Sequence, residues 1–193
     1  MNYPEKAVID GEEYPINTDF RVAIECNRIA TDTEIGDYER ALAIIYKLFG
    51  DKGLNDRDNH EKLLELARKF ISCNKEVVDK KDEEIDMDFE QDMDYIEASF
   101  MSDYNIDLSN TEMHWWKFYN LINGLSNSEL GSCCVLNRVR NLRNYDTSQI
   151  KDAKERTKIE EAKKQVALKK KEKTLTKKQK ESIERFNKLA GIK

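Results

Sequence analysis

Proline and glycine are scarce in this sequence, with 2 and 7 among 193 residues. That shortage excludes a collagen-like or loop-rich chain, and with 39% hydrophobic residues it favours helices joined by short loops. Histidine occurs twice, as His60 and His114, and the cysteines Cys26, Cys73, Cys133 and Cys134 have no metal-ligand spacing. No zinc site is expected. Cys133 beside Cys134 would make a strained disulfide, so all four read as reduced, mostly buried small apolar side chains. No apolar run nears the ~20 residues of a membrane span. The start, MNYPEKAVID, lacks the charged and apolar regions of a signal peptide. The cytoplasm of the cell that makes it is the expected location. A glycine-rich phosphate loop, a GxSxG elbow and a spaced Cys/His dyad are also missing, so an enzyme reading has nothing to rest on. No cofactor is expected.

One sign of charge is absent from a long stretch. Between Asp82 and Glu112 stand 12 acidic side chains and no Lys or Arg. The division extends to the whole chain, whose net charge of -5 hides 19 basic against 8 acidic residues from Arg138 onward and 14 against 30 before it. An acidic body precedes a basic tail. The length suits one domain with a core plus an appendage, here residues 1–145 as body and 146–193 as tail.

Local patterns place the elements. AVIDGEEYPINTDF alternates apolar and polar residues around Asp10-Gly11, a dipeptide suited to the positive φ angles of a tight hairpin turn, and Pro15 keeps its strand at an edge. Thr18 or Asp19 then caps a helix with Phe20, Val22, Ile24, Cys26 and Ile29 on a broad apolar face. Tyr38, Leu42, Ile45 and Phe49 predict a second helix that Gly50 stops. A third begins at Asp58 with Glu61 in a capping box, burying Leu63, Leu64, Ala67, Phe70 and Ile71. Phe89, Met93, Ile96 and Phe100 lie at i, i+4, i+7 and i+11 and predict an acidic helix with one apolar stripe. Ser109 with Glu112 predicts the N-terminus of the next helix, with Leu108 and Met113 as its hydrophobic staple. The same arrangement at Leu125, Ser126, Glu129 and Leu130 opens another through Cys133, Cys134, Leu136 and Val139, so a short-looped helical hairpin around Gly124 is expected. After Tyr145 the helical pattern is charged nearly all round until Ile183, Phe186 and Leu189 recover an apolar face. The fold class is mainly α: a helical domain with a short N-terminal β-hairpin and a helical basic C-terminal extension.

The richest apolar segment is TEMHWWKFYNLING. Trp115, Phe118, Tyr119 and Ile122 share one helical face, whereas Trp116 sits about 100° round the axis beside Met113. Large aromatics most often fill a core, and Trp115 is assigned there. Trp116, with Met113 and Tyr119, is the candidate edge of a protein-binding patch, because Trp and Tyr anchor interfaces. Ile183, Phe186 and Leu189 are the second candidate, a docking helix on a charged tether.

The residues also bear on three chemical alternatives. Asp86, Asp88, Glu90, Asp94 and Glu97 stand at calcium-loop positions one, three, five, nine and twelve, but Gln91 occupies the place that needs glycine, and the helical stripe explains the same residues. Nor does a run of like charges on a helix supply the partner and pocket that acid–base catalysis needs. The basic tail could neutralise phosphates, yet only Leu175 and Phe186 are bulky there and nothing interleaves aromatics for base stacking, which weighs against nucleic acid.

The pattern from Ala7-Val8-Ile9-Asp10-Gly11 through Tyr14, Ile16 and Thr18-Asp19-Phe20-Arg21 resembles the start of the bacteriophage gene-product-fifteen family. DYIEASFMSDYNIDL, Asp94 to Leu108, followed by Met113-His114-Trp115-Trp116-Lys117-Phe118, resembles it more specifically. The likeness spans about residues 4 to 145. It implies a protein of tailed phages and prophages of Gram-positive bacteria, in the tail module between tube and tape measure genes. By that resemblance the expected role is a non-enzymatic tail assembly chaperone. Its expected partners are the tape measure protein, the tail tube protein and other copies of itself. A structural tail or connector component is the first alternative, and a nucleic-acid-binding accessory protein using the tail is the second.

Overall fold

The computed structural model describes residues 3–75, 85–127 and 133–169. Two strands, seven α-helices and one 3-10 turn make up these residues, so the chain is mainly helical behind an N-terminal hairpin. None of the described helices is long and apolar enough to cross a membrane. The chain divides into two compact units, with described parts at 3–75 and at 85–127 plus 133–169, and each is taken by itself.

The first unit opens with strands β1, Lys6–Ile9, and β2, Glu12–Pro15, paired antiparallel with Ile9 opposite Glu12 and Lys6 opposite Pro15. Asp10 and Gly11 turn the chain with φ of 52° and 89°, as a two-residue hairpin of this hand requires. Ala7, Ile9 and Tyr14 point to the core while Lys6 and Val8 face outward. Helix α1, Phe20–Thr31, starts where the Asp19 carboxylate accepts the Arg21 backbone N–H at 2.8 Å. Its buried face is Phe20, Ala23, Cys26 and Ile29, while Val22 and Ile24, expected on that face, are only half-buried. Burial pushes the Cys26 thiol up to about 12, so it stays protonated and unreactive.

Helix α2, Asp37–Asn55, passes through Gly50 at φ 63° and ψ −158°, a backbone state open to glycine alone. Gly50 therefore breaks the helix as expected, although helical backbone resumes beyond it. Tyr38, expected on the buried face, is 68% exposed; Ile44, Ile45, Leu48 and Phe49 carry that face instead. A four-residue spacing was satisfied by Tyr38, but position 38 lies in the first turn, before the helix reaches its neighbours. At the break the Leu48 carbonyl accepts the Asn17 N–H at 2.8 Å, which ties the strand exit to α2.

Helix α3 runs His60–Ile71 after a 3-10 turn at Arg57–Asn59. No capping box forms: no side chain caps α3, and the acid of the turn, Asp56, serves elsewhere. Its carboxylate accepts from the Tyr14 hydroxyl and from Asn59 Nδ2, which joins the hairpin to the α2–α3 turn. Leu63, Ala67 and Phe70 are buried; Leu64 and Ile71, expected beside them, are half-buried.

The second unit packs α4, Met93–Tyr104, against α6, Val135–Asn144, which in turn packs against α7, Ala153–Val166. Phe89 lies in the turn before α4, not on it. Leu136 N–H donates to Ser99 Oγ at 3.0 Å, and Ser99 Oγ donates to the Tyr95 carbonyl at 2.6 Å, so a buried serine fastens α6 to α4. α6 begins at Val135, capped by Cys134 Sγ, and not at Ser126. Ser126 and Asn127 belong to no helix, and Asn127 bridges to Cys133; Glu129 and Leu130 lie outside the described residues. The expected short hairpin is replaced by pairing of α6 with α4, because Ser99 and the Asp92–Arg143 contact claim the inner face of α6. No residue of α7 is buried.

Asp92 is fully buried and Arg143 nearly so. Their bond is bidentate, with Nη2 donating to Oδ1 at 2.6 Å and Nη1 to Oδ2 at 2.8 Å. Nη1 also donates to the Asp86 carbonyl at 2.8 Å and Nε to the Val166 carbonyl at 2.6 Å. The hydrogen bonds it donates to Asp92, against the opposing cost of burial, hold the Arg143 guanidinium above its usual range. Arg143→Met should cost about 3–5 kcal/mol, since it leaves the Asp92 carboxylate buried and unpaired; urea unfolding checks this, and a loss below about 1 kcal/mol would show the pair to be dispensable.

Tyr14 offers a second test. Its hydrogen bond to Asp56, then burial, then the negative charge of Asp56, raise the phenol to about 12. A raised acid pKa means that the bond contributes fully below pH about 10 and is lost between about 10 and 12. The stability gap between wild type and Tyr14→Phe should therefore close over that window, measured by chemical unfolding at stepped pH.

Candidate functional site

Helix α5, Trp115–Asn123, begins six residues after Ser109. His114 is its N-cap: Nδ1 accepts the Trp116 N–H at 3.0 Å, a role that requires the ring proton on Nε2. The expected cap at Ser109 fails because Asp107 takes that segment, accepting from the Ser109 N–H at 3.0 Å and from Asn110 Nδ2 at 2.7 Å. These hydrogen bonds hold the Asp107 carboxyl below its usual range and stabilise a turn in place of a first helical turn.

Trp115 is 1% exposed, with its ring stacked on Phe118 at 5.7 Å and met edge-on by Phe89 at 5.7 Å. Phe118 stacks in turn on Phe100 at 5.2 Å, and Phe100 meets Tyr104 edge-on at 5.6 Å. Offset and edge geometries of this kind add roughly 0.5–1.5 kcal/mol per pair beyond area burial. At the other end of α5 the Tyr104 hydroxyl donates to the Leu121 carbonyl at 2.8 Å. Asn137 Nδ2 reaches the Leu125 and Ser126 carbonyls at 3.3 and 3.2 Å, fixing the chain as it leaves α5. Asp103 accepts the Ser126 N–H at 2.8 Å, which keeps its carboxyl low.

The candidate patch is divided by this arrangement. Trp116 is half-buried, its ring 6.4 Å from His114 at 88°. Tyr119 is half-buried against Trp115 at 5.6 Å, and its carbonyl accepts from Asn123 Nδ2 at 2.6 Å. Met113 is only 5% exposed, so it offers the patch almost no surface. Ile183, Phe186 and Leu189 lie outside the described residues.

The acidic segment is engaged by protein groups. Asp86 receives Arg140 Nε at 3.1 Å and Asn144 Nδ2 at 3.1 Å, and Asp88 Oδ1 accepts the N–H groups of Glu90 and Gln91 at 2.9 and 3.0 Å. Among the described residues no three His, Cys, Asp or Glu side chains gather as a metal site would.

Some surface features had no readable signal. Ile85 is 79% exposed and Tyr145 49% exposed, on either side of the Asp86–Asn144 hydrogen bond. In the first unit an open concavity of about 500 Å³ is lined by Pro15, Ile16, Tyr46, Phe49 and Gly50, where the helix break leaves room. Exposure of a tyrosine at position 46 follows from which side of α2 meets α1 and α3, which the spacing of apolar residues does not specify.

An N-terminal hairpin, a helical body and a half-buried aromatic edge define the class, a mainly helical protein. The sequence profile described as Bacteriophage Gp15 protein matches residues 4–168, and the chain belongs to that family. It is thus a phage structural or assembly-related protein. The match continues past residue 145 to include α7. No curated protein and no solved structure matches it.

Trp115→Ala should cost about 3–5 kcal/mol of unfolding free energy, as for a core aromatic. Trp116→Ala should cost clearly less, with unchanged helical circular dichroism; a loss for Trp116 equal to that for Trp115 would place it in the core and remove it from any interface.

Proposed function

We propose that this protein is a tail assembly chaperone that binds the tape measure protein and assists polymerisation of the tail tube around it. It acts by protein–protein binding, in the cytoplasm of the bacterial host. The observation that carries the reading is the placement of Trp116 and Tyr119, kept half-buried at the edge of an aromatic cluster that Trp115 and Phe118 complete without them. A rigid indole beside a phenol gives a large contact area with little side-chain entropy to lose.

A tape measure is a very long helical chain that exposes apolar surface before the tube encloses it. A factor that coats it needs an apolar edge for each contact and enough charge to stay dispersed when many copies line up. The acidic run before α5 supplies the second property and the Trp116 edge the first. The basic stretch from residue 146 onward would hold a second, acidic partner such as the tube subunit at high local concentration.

Co-expression of the tagged protein with the tape measure and tube proteins of its own phage, with mass spectrometry of finished particles, tests the reading. Capture of the tape measure together with absence from particles is expected, and Trp116→Ala should weaken that capture at least roughly tenfold, the effect of losing one interface anchor. Stoichiometric presence in particles would make it a permanent tail or connector component. Capture of nucleic acid alone, in a steeply salt-dependent manner lost on deleting residues 146–193, would transfer the function to the basic stretch.

A further inference from the structure

The two-stranded sheet of the first unit has two edges, and they differ. On β2 the outward carbonyl of Glu13 accepts Lys52 Nζ at 2.7 Å, and Lys52 also pairs with Glu12 at 3.0 Å, so α2 covers that edge. On β1 the pairing of Ile9 with Glu12 and Ala7 with Tyr14 directs the N–H and C=O groups of Lys6 and Val8 away from β2. No backbone or side-chain partner meets those groups among the described residues. Val8, at the middle of this edge, is 55% exposed. Proteins commonly protect such an edge with a lysine that stands out from it. Here Lys6 is drawn back across the hairpin to Glu13 and leaves the edge open.

We infer that β1 is an interface with a second copy of this chain, the two β1 strands pairing antiparallel across a two-fold axis at Val8 to make a four-stranded sheet. The side-chain chemistry selects this occupant. With Val8 opposite Val8 of the second copy, Lys6 at one end of β1 comes beside Asp10, the exposed first residue of the second copy's turn, and the two-fold repeats that meeting of opposite charges. A parallel arrangement would set Lys6 against Lys6. The ion pairs that Lys6 and Asp10 now make, with Glu13 and Lys62, are exposed and easily exchanged. Ala7 and Ile9 remain turned to the unit's own core, so pairing needs no repacking. The inference stands whichever protein the Trp116 edge takes, and it supplies a way for copies to line up.

Sedimentation equilibrium of the full chain at concentrations up to about 1 mM would reveal association as weak as a millimolar Kd. A reversible dimer is expected. Val8→Lys sets two ammonium groups opposite each other at the axis and should weaken it at least roughly tenfold while leaving the circular dichroism unchanged. Val8→Cys provides a second arm that does not depend on charge. Directly opposed, hydrogen-bonded strand positions lie ~5.5 Å apart at Cα, within disulfide reach. Mild oxidation should then link two chains through residue 8, faster than any link formed by the native cysteines of the wild type. A wild-type monomer throughout the range overturns the inference. So does a dimer that Val8→Lys leaves intact, or a Val8→Cys variant that cross-links no faster than wild type. If Val8→Lys fails to fold, the cross-link decides.

Discussion

The second unit depends on one ion pair. Asp92 stands at the start of α4 with no exposed surface, and Arg143 stands in the last turn of α6. A buried carboxylate without a partner would be unaffordable in free energy, so the chain must bring Arg143 to it. Having done so, the guanidinium uses its remaining donors on the Asp86 and Val166 carbonyls. The acidic turn, the ends of α4 and α6, and the close of α7 are thereby joined at one planar group. Lysine could not replace it, because a point charge lacks the fork that reaches four acceptor oxygens on three residues.

That constraint accounts for the position of the aromatic segment. With α6 held on α4 by Arg143 and Ser99, the chain between them must cross the unit, and α5 lies in that crossing. Phe118 then meets Phe100 of α4, and Trp115 meets Phe89 in the turn that Asp92 closes. Trp116, one residue on, is carried to the margin of the cluster. The proposed binding edge is thus a consequence of how the core is completed.

The two units pose opposite problems. The second satisfies a buried charge by drawing in an arginine, whereas the first keeps its charges at the surface and closes around small contacts, such as Asn17 on the Leu48 carbonyl at the Gly50 break. The Tyr14 hydroxyl is buried there, and Asp56 answers it from the turn before α3. The hairpin is held at its β2 side by these contacts and by Lys52, which leaves β1 as the outer strand.

Membership of the phage family, the mainly helical class and the N-terminal hairpin were all legible in the sequence. Asp10-Gly11 has few alternatives to a tight turn, and the stripes through Ile45, Phe49, Ile96 and Phe100 bury wherever their helices pack, since hydrophobic periodicity is a property of the chain itself. Trp115 belonged to the core for the same reason. Asp19 caps α1 as expected, but the starts of α5 and α6 were not legible, because capping is a competition. Ser109 and Ser126 carry the right spacing, but Asp107 and Asp103 take their N–H groups, and His114 and Cys134 cap instead. The burial of Met113 and the pairing of α6 with α4 were likewise hidden. Each rests on residues distant in sequence, Ser99 with Leu136 and Asp92 with Arg143, and only the tertiary structure decides which of many acids an arginine will meet.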